Sequence, residues 1–286
     1  MEKLEKIKKA IRKKGKIVVM FSGGVDSTLL ARLAYDAVGE DAIAVTIDSP
    51  VIPRSEIKEA KQLAELIGIK HEIIEIDELE SIHLIKNPPN RCYICRKLRD
   101  ATIREWAKEK GFETIADGLN YSDLGDYRPG VKAATEDGIW HPFIEFQVTK
   151  EDIRKYSKLL KLPTWNKPSM TCLASRFPYG FGLTKEKLEK VEKAEEFLKT
   201  LGFREVRVRC FPYDLALVEV DNIERALKEK DTIVNHLRTL GFLFVSLDLE
   251  GFRSGKINRI ILKVRRKLRS KVTKFESSPE LVKVEK

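Results

Sequence analysis

The chain has 286 residues, of which 34% are charged and 42% hydrophobic, and its formal net charge is +10 at pH 7. No apolar run approaches the roughly 18–20 residues of a membrane helix, and the charged opening segment predicts an amphipathic helix in place of a secretory signal. We therefore expect a cytoplasmic protein with no membrane partner. Because domains usually contain ~100–200 residues, we also expect two of them.

The first part of the chain alternates strands with helices. We predict strands in KIVVMF, AIAVTID, HEIIEID and FETIADG, and helices that include residues 97–110. This alternation predicts an α/β fold, a parallel twisted sheet with helices on both faces. Ligands of such sheets bind at the carboxyl ends of the strands, where SGGVDS and ADGLNYSD lie.

The second part reads as a smaller α+β domain. Residues 161–183 contain three prolines and two glycines without periodicity, so we predict an irregular, functional linker. Beyond it we predict a helix at 184–201, strands near 204–210, 214–220, 242–248 and 257–264, and short helices over 222–240. The predicted domains are therefore 1–160 and 184–286.

Positive charge is concentrated in the second part. Residues 1–160 contain 27 Lys or Arg and 27 Asp or Glu, whereas residues 161–286 contain 27 and 17. The excess indicates an anionic partner, either a phosphorylated small molecule or a nucleic acid. Much of it lies in the run Lys263–Lys274, which also fits a solvated tail.

The segment SGGVDS predicts a phosphate-binding loop. Gly23 and Gly24 let the backbone approach a phosphate, and the helix that follows directs its unpaired N–H groups at the anion. Ser22 and Ser27 add hydroxyl donors, and Asp26 can help hold a magnesium ion that bridges phosphates. Because SGGVDS lacks the Walker A spacing and lysine, the loop differs from that of γ-phosphate kinases and GTPases.

Two cysteines form a C-x-x-C at the start of a predicted helix. The helix dipole and neighbouring Arg91, Arg96 and Lys97 are expected to favour the thiolates of Cys92 and Cys95. A zinc half-site, a redox pair and two ligands of an iron–sulfur cluster all use this spacing, so the spacing alone leaves the three open.

A third cysteine, Cys172, lies in the linker sequence PSMTCLASRFPYG. An isolated cysteine can be a small buried hydrophobic residue. The polar surroundings of Cys172, which include Arg176, favour an anion-binding active-site loop instead. Cys210 ends a predicted strand and is interpreted as structural.

SGGVDS resembles the PP-loop of the ATP pyrophosphatase superfamily. The segments NPPNRCYICR, ADGLNYSDLGDYRPG, KPSMTCLASRFPYG and LEGFRSGKIN further resemble the LarE family of sulfur-inserting synthases, from about residue 15 to residue 262. The resemblance implies that ATP with Mg²⁺ adenylates a carboxylate of pyridinium-3,5-biscarboxylic acid mononucleotide. Sulfur then displaces AMP, on the route to a nickel-pincer cofactor.

The family uses two versions of the sulfur step. In one, a lone linker cysteine, matched by Cys172, gives up its own sulfur and becomes dehydroalanine. In the other, three cysteines hold a [4Fe–4S] cluster whose fourth iron carries sulfide. Since this sequence has the additional pair, the resemblance favours a cluster held by Cys92, Cys95 and Cys172.

The resemblance also implies further binding residues. Arg207 and Arg209 alternate along one strand and face the same side, so they either bind the substrate or line a solvent face. The expected substrate-binding residues are Ser175, Arg176, Glu195, Arg207 and Arg209. Those expected to bind ATP, beyond the loop, are Asp48, Ser49, Asp123 and Arg128.

Two other readings remain open at this stage. A tRNA thiolase of the same superfamily would use the basic second domain to bind the RNA backbone. A non-catalytic nucleotide- or zinc-binding module would bind nucleotide without releasing pyrophosphate. We expect a phosphorylated small molecule as the partner, and a homo-oligomer.

Overall fold

The computed structural model describes residues 2–125, 129–168, 171–253, 255–256 and 259. The chain divides into two compact units, Met1–Glu192 and Lys193–Lys286. The described part of the predicted linker belongs to the first unit. Arg128, the run Lys263–Lys274 and, except for residue 259, the predicted strand 257–264 lie outside the described residues.

The first unit contains a four-stranded parallel sheet. Its strands are β1 (Ile17–Met20), β2 (Ala42–Asp48), β3 (Lys70–Glu75) and β4 (Thr114–Ala116), in the order β3-β2-β1-β4. All three strand pairs are parallel. The predicted α/β fold class is therefore confirmed.

Helices cover both faces of this sheet. Within β1, Ile17 and Val19 join one apolar cluster and Val18 joins another, because successive side chains of a strand point to opposite faces. Burial on both faces explains why these strands are almost uniformly apolar. The helices are α1 (Glu2–Lys14), α2 (Val25–Val38), α3 (Arg54–Ile67), α4 (Arg91–Glu109), α5 (Pro129–Glu136), α6 (Pro142–Glu145) and α7 (Lys150–Leu159).

The loops that follow β1 and β4 meet at the carboxyl edge of the sheet. A Cβ atom added to Gly118, just after β4, would lie 2.9 Å from both Asp26 Cβ and Ser27 N. Gly23 has a φ of +68°, and a Cβ there would lie 3.3 Å from Ala60 Cα. Glycine at these two positions lets three backbone segments pack around the start of α2.

The second unit is a smaller α+β arrangement, as predicted. Strands β5 (Val206–Phe211) and β6 (Leu215–Val220) are antiparallel, and β6 pairs in parallel with β7 (Phe244–Leu247). The helices of this part are α8 (Lys185–Thr200), within which the two units meet along the chain, α9 (Ile223–Lys228) and α10 (Lys230–Thr239).

Within the described part of the chain, every helix falls short of the length and hydropathy that crossing a bilayer demands.

Candidate active site

The SGGVDS loop is held by its two serine side chains. Ser27 Oγ accepts a hydrogen bond from Ser22 N at 3.2 Å, lies 3.1 Å from Ser22 Oγ and donates to the Gly24 carbonyl at 3.2 Å. Helix α2 begins after Gly24, which provides no side-chain cap. The first N–H groups of α2 are therefore available to an anion.

A cavity of about 300 Å³ lies at this edge of the sheet. Four of the residues predicted to bind ATP line it: Ser22, Asp26, Ser27 and Asp123. Apolar side chains of β2 and α3 complete part of its wall, among them Val45, Ile47 and Ile57. Apolar surface beside an anion-binding loop suits a nucleotide, whose base is flat and apolar and whose phosphates are charged.

Asp26 already has a cationic partner in the structure. Its Oδ2 atom pairs with the ammonium group of Lys150, and its Oδ1 atom accepts a hydrogen bond from Asn120 Nδ2 at 3.3 Å. Asn120 also donates from its backbone to Asp123 Oδ2 at 3.0 Å. The carboxylate oxygens at this place fit the ligand chemistry of Mg²⁺, and Lys150 supplies further positive charge for phosphate oxygens.

A buried ionic network forms beside the cavity at the end of β4. Asp117 Oδ2 pairs with Arg96 at 2.7 Å, and Asp117 Oδ1 lies 2.7 Å from His141 Nδ1. Arg96 also pairs with Asp100 at 2.7 Å. Burial alone would raise the pKa of Asp117, but His141 and Arg96 outweigh it and hold that pKa below its usual value.

The three predicted sulfur ligands share one electrostatic environment. Repulsion between like charges on Cys172 and the other two sulfur atoms contributes to raising the pKa of both Cys92 and Cys95. The first cause of each rise is burial, which for Cys95 raises the pKa well above its usual value. The expectation that the helix start favours thiolates was therefore wrong for the thiols as they stand.

The cations expected to activate the cysteines are engaged elsewhere. Arg96 pairs with two aspartates, and Lys97 pairs with Asp137 at 2.7 Å. Arg91 does lower the pKa of Cys92, although less than burial raises it. Loss of water around the sulfur atoms thus outweighs the nearby positive charge.

A buried carboxylate connects Cys95 to a second arginine. Glu78 Oε1 accepts hydrogen bonds from Cys95 Sγ at 3.0 Å and from Arg99 Nε at 2.6 Å, and Glu78 Oε2 accepts one from the Ser49 hydroxyl. Burial would raise the pKa of Glu78, but Arg99 outweighs it and lowers that pKa. The carboxylate is therefore charged and receives three donors.

Two arginine nitrogens at the cysteine site are buried without a hydrogen-bond partner among the described residues. They are Nε of Arg91 and Nη2 of Arg99. Buried donors are nearly always paired, so such atoms indicate a group that binds there. Guanidinium donors beside three thiols suit an anionic sulfur species or an iron–sulfur cluster with thiolate ligands.

The donor set thus fits a sulfur-bound metal group in its chemistry, with three soft thiol ligands and compensating positive charge. In the arrangement of the described residues, no three His, Cys, Asp or Glu side chains stand close enough together to hold a metal ion.

Arg176 shapes the turn that carries Cys172. Its side chain is completely buried, and its Nη1 atom donates to the Thr171 carbonyl at 2.8 Å and to the Cys172 carbonyl at 3.1 Å. Ser175 Oγ also donates to the Cys172 carbonyl, at 2.8 Å. In this structure, the side chains of Ser175 and Arg176, two of the predicted substrate-binding residues, hold the backbone around Cys172.

The linker is anchored to the first unit at two places near the cavity. Leu173 N donates to the carbonyl of Val51, after β2, at 2.8 Å. Lys167 Nζ donates to the carbonyl of Gly23 at 3.2 Å and pairs with Glu56 at 2.8 Å. The linker therefore contacts the phosphate-binding loop and also carries Cys172.

Asp48 and Ser49, predicted to bind the nucleoside, have protein partners. Asp48 Oδ1 pairs with Arg54 at 2.5 Å, and Arg54 also donates to the Ser49 carbonyl at 2.6 Å. The Ser49 side chain is buried against Glu78. These contacts support the end of β2, and the role of both residues toward ATP stays a prediction.

In the second unit, the predicted substrate-binding residues Glu195, Arg207 and Arg209 are buried and have protein partners. Arg207 and Arg209 are 8% and 6% exposed, so neither lines a solvent face. Arg209 makes a two-pronged contact with Glu219, at 2.5 and 3.1 Å. Glu195 accepts a hydrogen bond from Val208 N at 3.0 Å, and the Arg207 guanidinium lies over the ring of Phe252 at 5.0 Å. Burying a guanidinium group costs free energy of desolvation, so the presence of two such groups here is consistent with a binding role.

The parallel sheet, its glycine-containing loop and the adjoining cavity have the arrangement of the PP-loop class of proteins. In agreement, the family model for NAD synthase matches residues 2–104. Among curated relatives, the pyridinium-3,5-bisthiocarboxylic acid mononucleotide synthase of Lactiplantibacillus plantarum is 37% identical over 89% of this chain and 93% of its own length. The chain belongs to the family of that synthase, the LarE family, as its motifs predicted.

Two other relatives also match most of the chain. An uncharacterized protein of Synechocystis is 41% identical over 91% of this chain and 98% of its own length. An uncharacterized protein of Methanocaldococcus jannaschii is 32% identical over 89% and 98%. The prediction that this chain is an enzyme of the family is confirmed.

Sequence reasoning missed five polar residues of the site. Asp117 could have been found, because it follows β4 in the segment already placed at the carboxyl edge. Glu78 and Arg99 come together from segments that are far apart in sequence, and neither stands in a motif. Lys167 opens the motif KPSMTCLASRFPYG and could also have been found, whereas Lys150 is a single lysine among many, and only the fold brings it to the loop.

We predict that Arg176→Gln lowers the free energy of unfolding by about 1.5–3 kcal/mol, because bonds from a charged donor to buried carbonyl groups are lost. Urea unfolding measures the change. Arg12→Gln, on the exposed side of α1, is the matched control and should change it by less than about 0.5 kcal/mol. Equal stability of Arg176→Gln and Arg12→Gln would contradict the role given to Arg176.

Proposed function

We propose that the protein is an ATP-dependent sulfur insertase. It adenylates a carboxylate of pyridinium-3,5-biscarboxylic acid mononucleotide and replaces AMP with sulfur, which gives a thiocarboxylate for nickel-pincer cofactor biosynthesis. The observation that carries the proposal is that one unit joins an anion-binding loop to a loop bearing Cys172: Lys167, five residues before that cysteine, donates to the Gly23 carbonyl.

The adenylation step uses the residues around the cavity. The N–H groups at the start of α2, together with Ser22 and Ser27, would bind the phosphates that leave as pyrophosphate. Asp26 would hold Mg²⁺, which neutralises the charge developing on the leaving group. The substrate carboxylate attacks the α-phosphorus, its new C–O–P linkage forms, and the bond to pyrophosphate breaks.

The sulfur step then has a good leaving group on carbon. A hydrosulfide sulfur attacks the carbonyl carbon, the C–S bond forms, and the C–O bond to AMP breaks as AMP takes the electron pair. The proton of the hydrosulfide is lost to solvent. The products are AMP and a thiocarboxylate, and no oxidant or reductant is required.

We propose that Cys92, Cys95 and Cys172 hold a [4Fe–4S] cluster. Three protein ligands leave one iron with an open position, and that iron would supply a place for sulfide. The buried donors on Arg91 and Arg99 support this proposal, because a cluster with thiolate ligands is anionic and needs compensating charge nearby.

We assign substrate binding in the second unit to Arg207, Arg209 and Glu195. The mononucleotide has a phosphate and two carboxylates, all of which guanidinium groups bind with two-pronged geometry. The contact of Arg209 with Glu219 supports such a role because it fixes the orientation of the guanidinium in advance.

We predict that Asp26→Asn lowers the rate of substrate-dependent pyrophosphate release by about 100-fold or more, because the metal contributes several kcal/mol to the transition state. Coupled detection of pyrophosphate measures the rate. Asp41→Asn, an exposed carboxylate before β2, is the control and should retain the wild-type rate. An Asp26→Asn rate within about threefold of wild type would remove Asp26 from the mechanism.

We also predict that protein purified without oxygen is brown and contains about four iron atoms per chain, as a [4Fe–4S] cluster requires. Cys95→Ala should bleach it, whereas Cys210→Ala should retain both colour and iron because Cys210 is buried in β5 of the second unit. Absorption spectra with iron and sulfide analysis provide the readout. Colourless wild type, with Cys172 converted to dehydroalanine after turnover, would instead establish the sacrificial version.

A further inference from the structure

Arg99 lines the cavity beside the phosphate-binding loop and also shares the Glu78 carboxylate with Cys95. We propose that Arg99 binds the anionic sulfur that attacks the adenylated carboxylate, and so acts as a catalytic residue of the sulfur step. The inference rests on the proposed function and deepens it, because it assigns the attacking anion to a particular side chain.

The position of Arg99 on α4 places it near both the cavity and the cysteines. It lies four residues, about one helical turn, after Cys95, so both side chains emerge on the same side of the helix. Arg99 is also one of the residues that line the cavity next to the phosphate-binding loop. Its charge acts on both Cys95 and Cys172.

One nitrogen of the Arg99 guanidinium is held by a carboxylate, and another has no hydrogen-bond partner among the described residues. Nε donates to Glu78 Oε1 at 2.6 Å, and the Glu78 side chain is fully buried. Nη2 is buried and has no hydrogen-bond partner among the described residues. The Glu78 contact restrains the planar guanidinium, so the N–H groups of Nη2 point in a defined direction. We expect their hydrogen-bond acceptor to arrive with the substrate or with the sulfur source.

The acceptor is more reasonably sulfur than phosphate. The phosphates have the N–H groups of α2 and the serine hydroxyls, whereas an anionic sulfur beside the half-buried Cys95 and Cys172 loses part of its water and needs a cation to offset that loss. The charge of Arg99 acts on all three thiols, and the contact with Glu78 keeps the guanidinium from rotating away. In the transfer, the Arg99-bound sulfur forms the C–S bond, the C–O bond to AMP breaks, AMP leaves with the electron pair, and the hydrosulfide proton goes to solvent.

The test compares two nucleophiles for the same adenylate. Hydroxylamine is neutral, traps acyl adenylates as hydroxamates and needs no cation, so it can be used with cluster-free protein. For Arg99→Gln with ATP, Mg²⁺ and pyridinium-3,5-biscarboxylic acid mononucleotide, we expect hydroxamate formation within about threefold of wild type, whereas thiocarboxylate formation by the loaded enzyme falls at least about 50-fold.

Two further variants keep the test decisive. Arg104→Gln, an exposed arginine on the same helix, should match wild type in both assays. If Arg99→Gln fails to fold because it leaves Glu78 charged and buried, Arg99→Gln combined with Glu78→Gln restores charge balance and should show the same division between nucleophiles.

The outcomes separate this proposal from the one on which it rests. Equal losses of hydroxamate and thiocarboxylate would assign Arg99 to adenylation or to structure, and an unchanged thiocarboxylate rate would give it no role; either overturns the proposal. Wild-type protein that forms no hydroxamate would instead reject the adenylation on which the proposed function depends, and the role of Arg99 with it.

Discussion

The buried carboxylate of Glu78 is the contact on which the arrangement of the site depends. It receives hydrogen bonds from Ser49 just after β2, from Cys95 near the start of α4 and from Arg99 one turn later. A buried, charged carboxylate is stable only when its oxygen atoms accept enough hydrogen bonds to replace those of water. The three donors therefore hold Glu78, and Glu78 holds them, in one arrangement. This single charge therefore links the sheet edge that forms the nucleotide cavity to the helix that carries two of the cysteines.

The linker is bonded to the same edge of the sheet and carries the third cysteine. Arg176 folds the turn around Cys172, Leu173 joins that turn to Val51, and Lys167 reaches Gly23. The proposed chemistry requires a phosphate-binding loop and a sulfur source that one substrate carboxylate can meet in succession. An irregular segment serves this purpose because its backbone is tied down by side chains rather than by a helix or a strand.

Much of this could be predicted from the sequence, and the exceptions have physical causes. The strand–loop–helix pattern around Ser22–Ser27 is local, so periodicity and glycine placement were sufficient. The thiolate prediction for Cys92 and Cys95 was wrong because a sequence shows nearby charges and does not show burial, which dominates here. The contacts of Arg176 with the carbonyl groups of its own turn could not be predicted, because a sequence does not reveal the direction of a side chain, and its role toward the substrate stays a prediction.

The central claim is that ATP activates a substrate carboxylate, and that one oxygen of this carboxylate leaves with AMP when sulfur attacks the carbonyl carbon. Substrate labelled with oxygen-18 in its carboxylates tests this directly, because the bridging oxygen of the adenylate belongs to the substrate. The account predicts that mass spectrometry finds a single labelled oxygen in the phosphate of the AMP formed alongside thiocarboxylate. Unlabelled AMP, or ADP and labelled inorganic phosphate in its place, would contradict it.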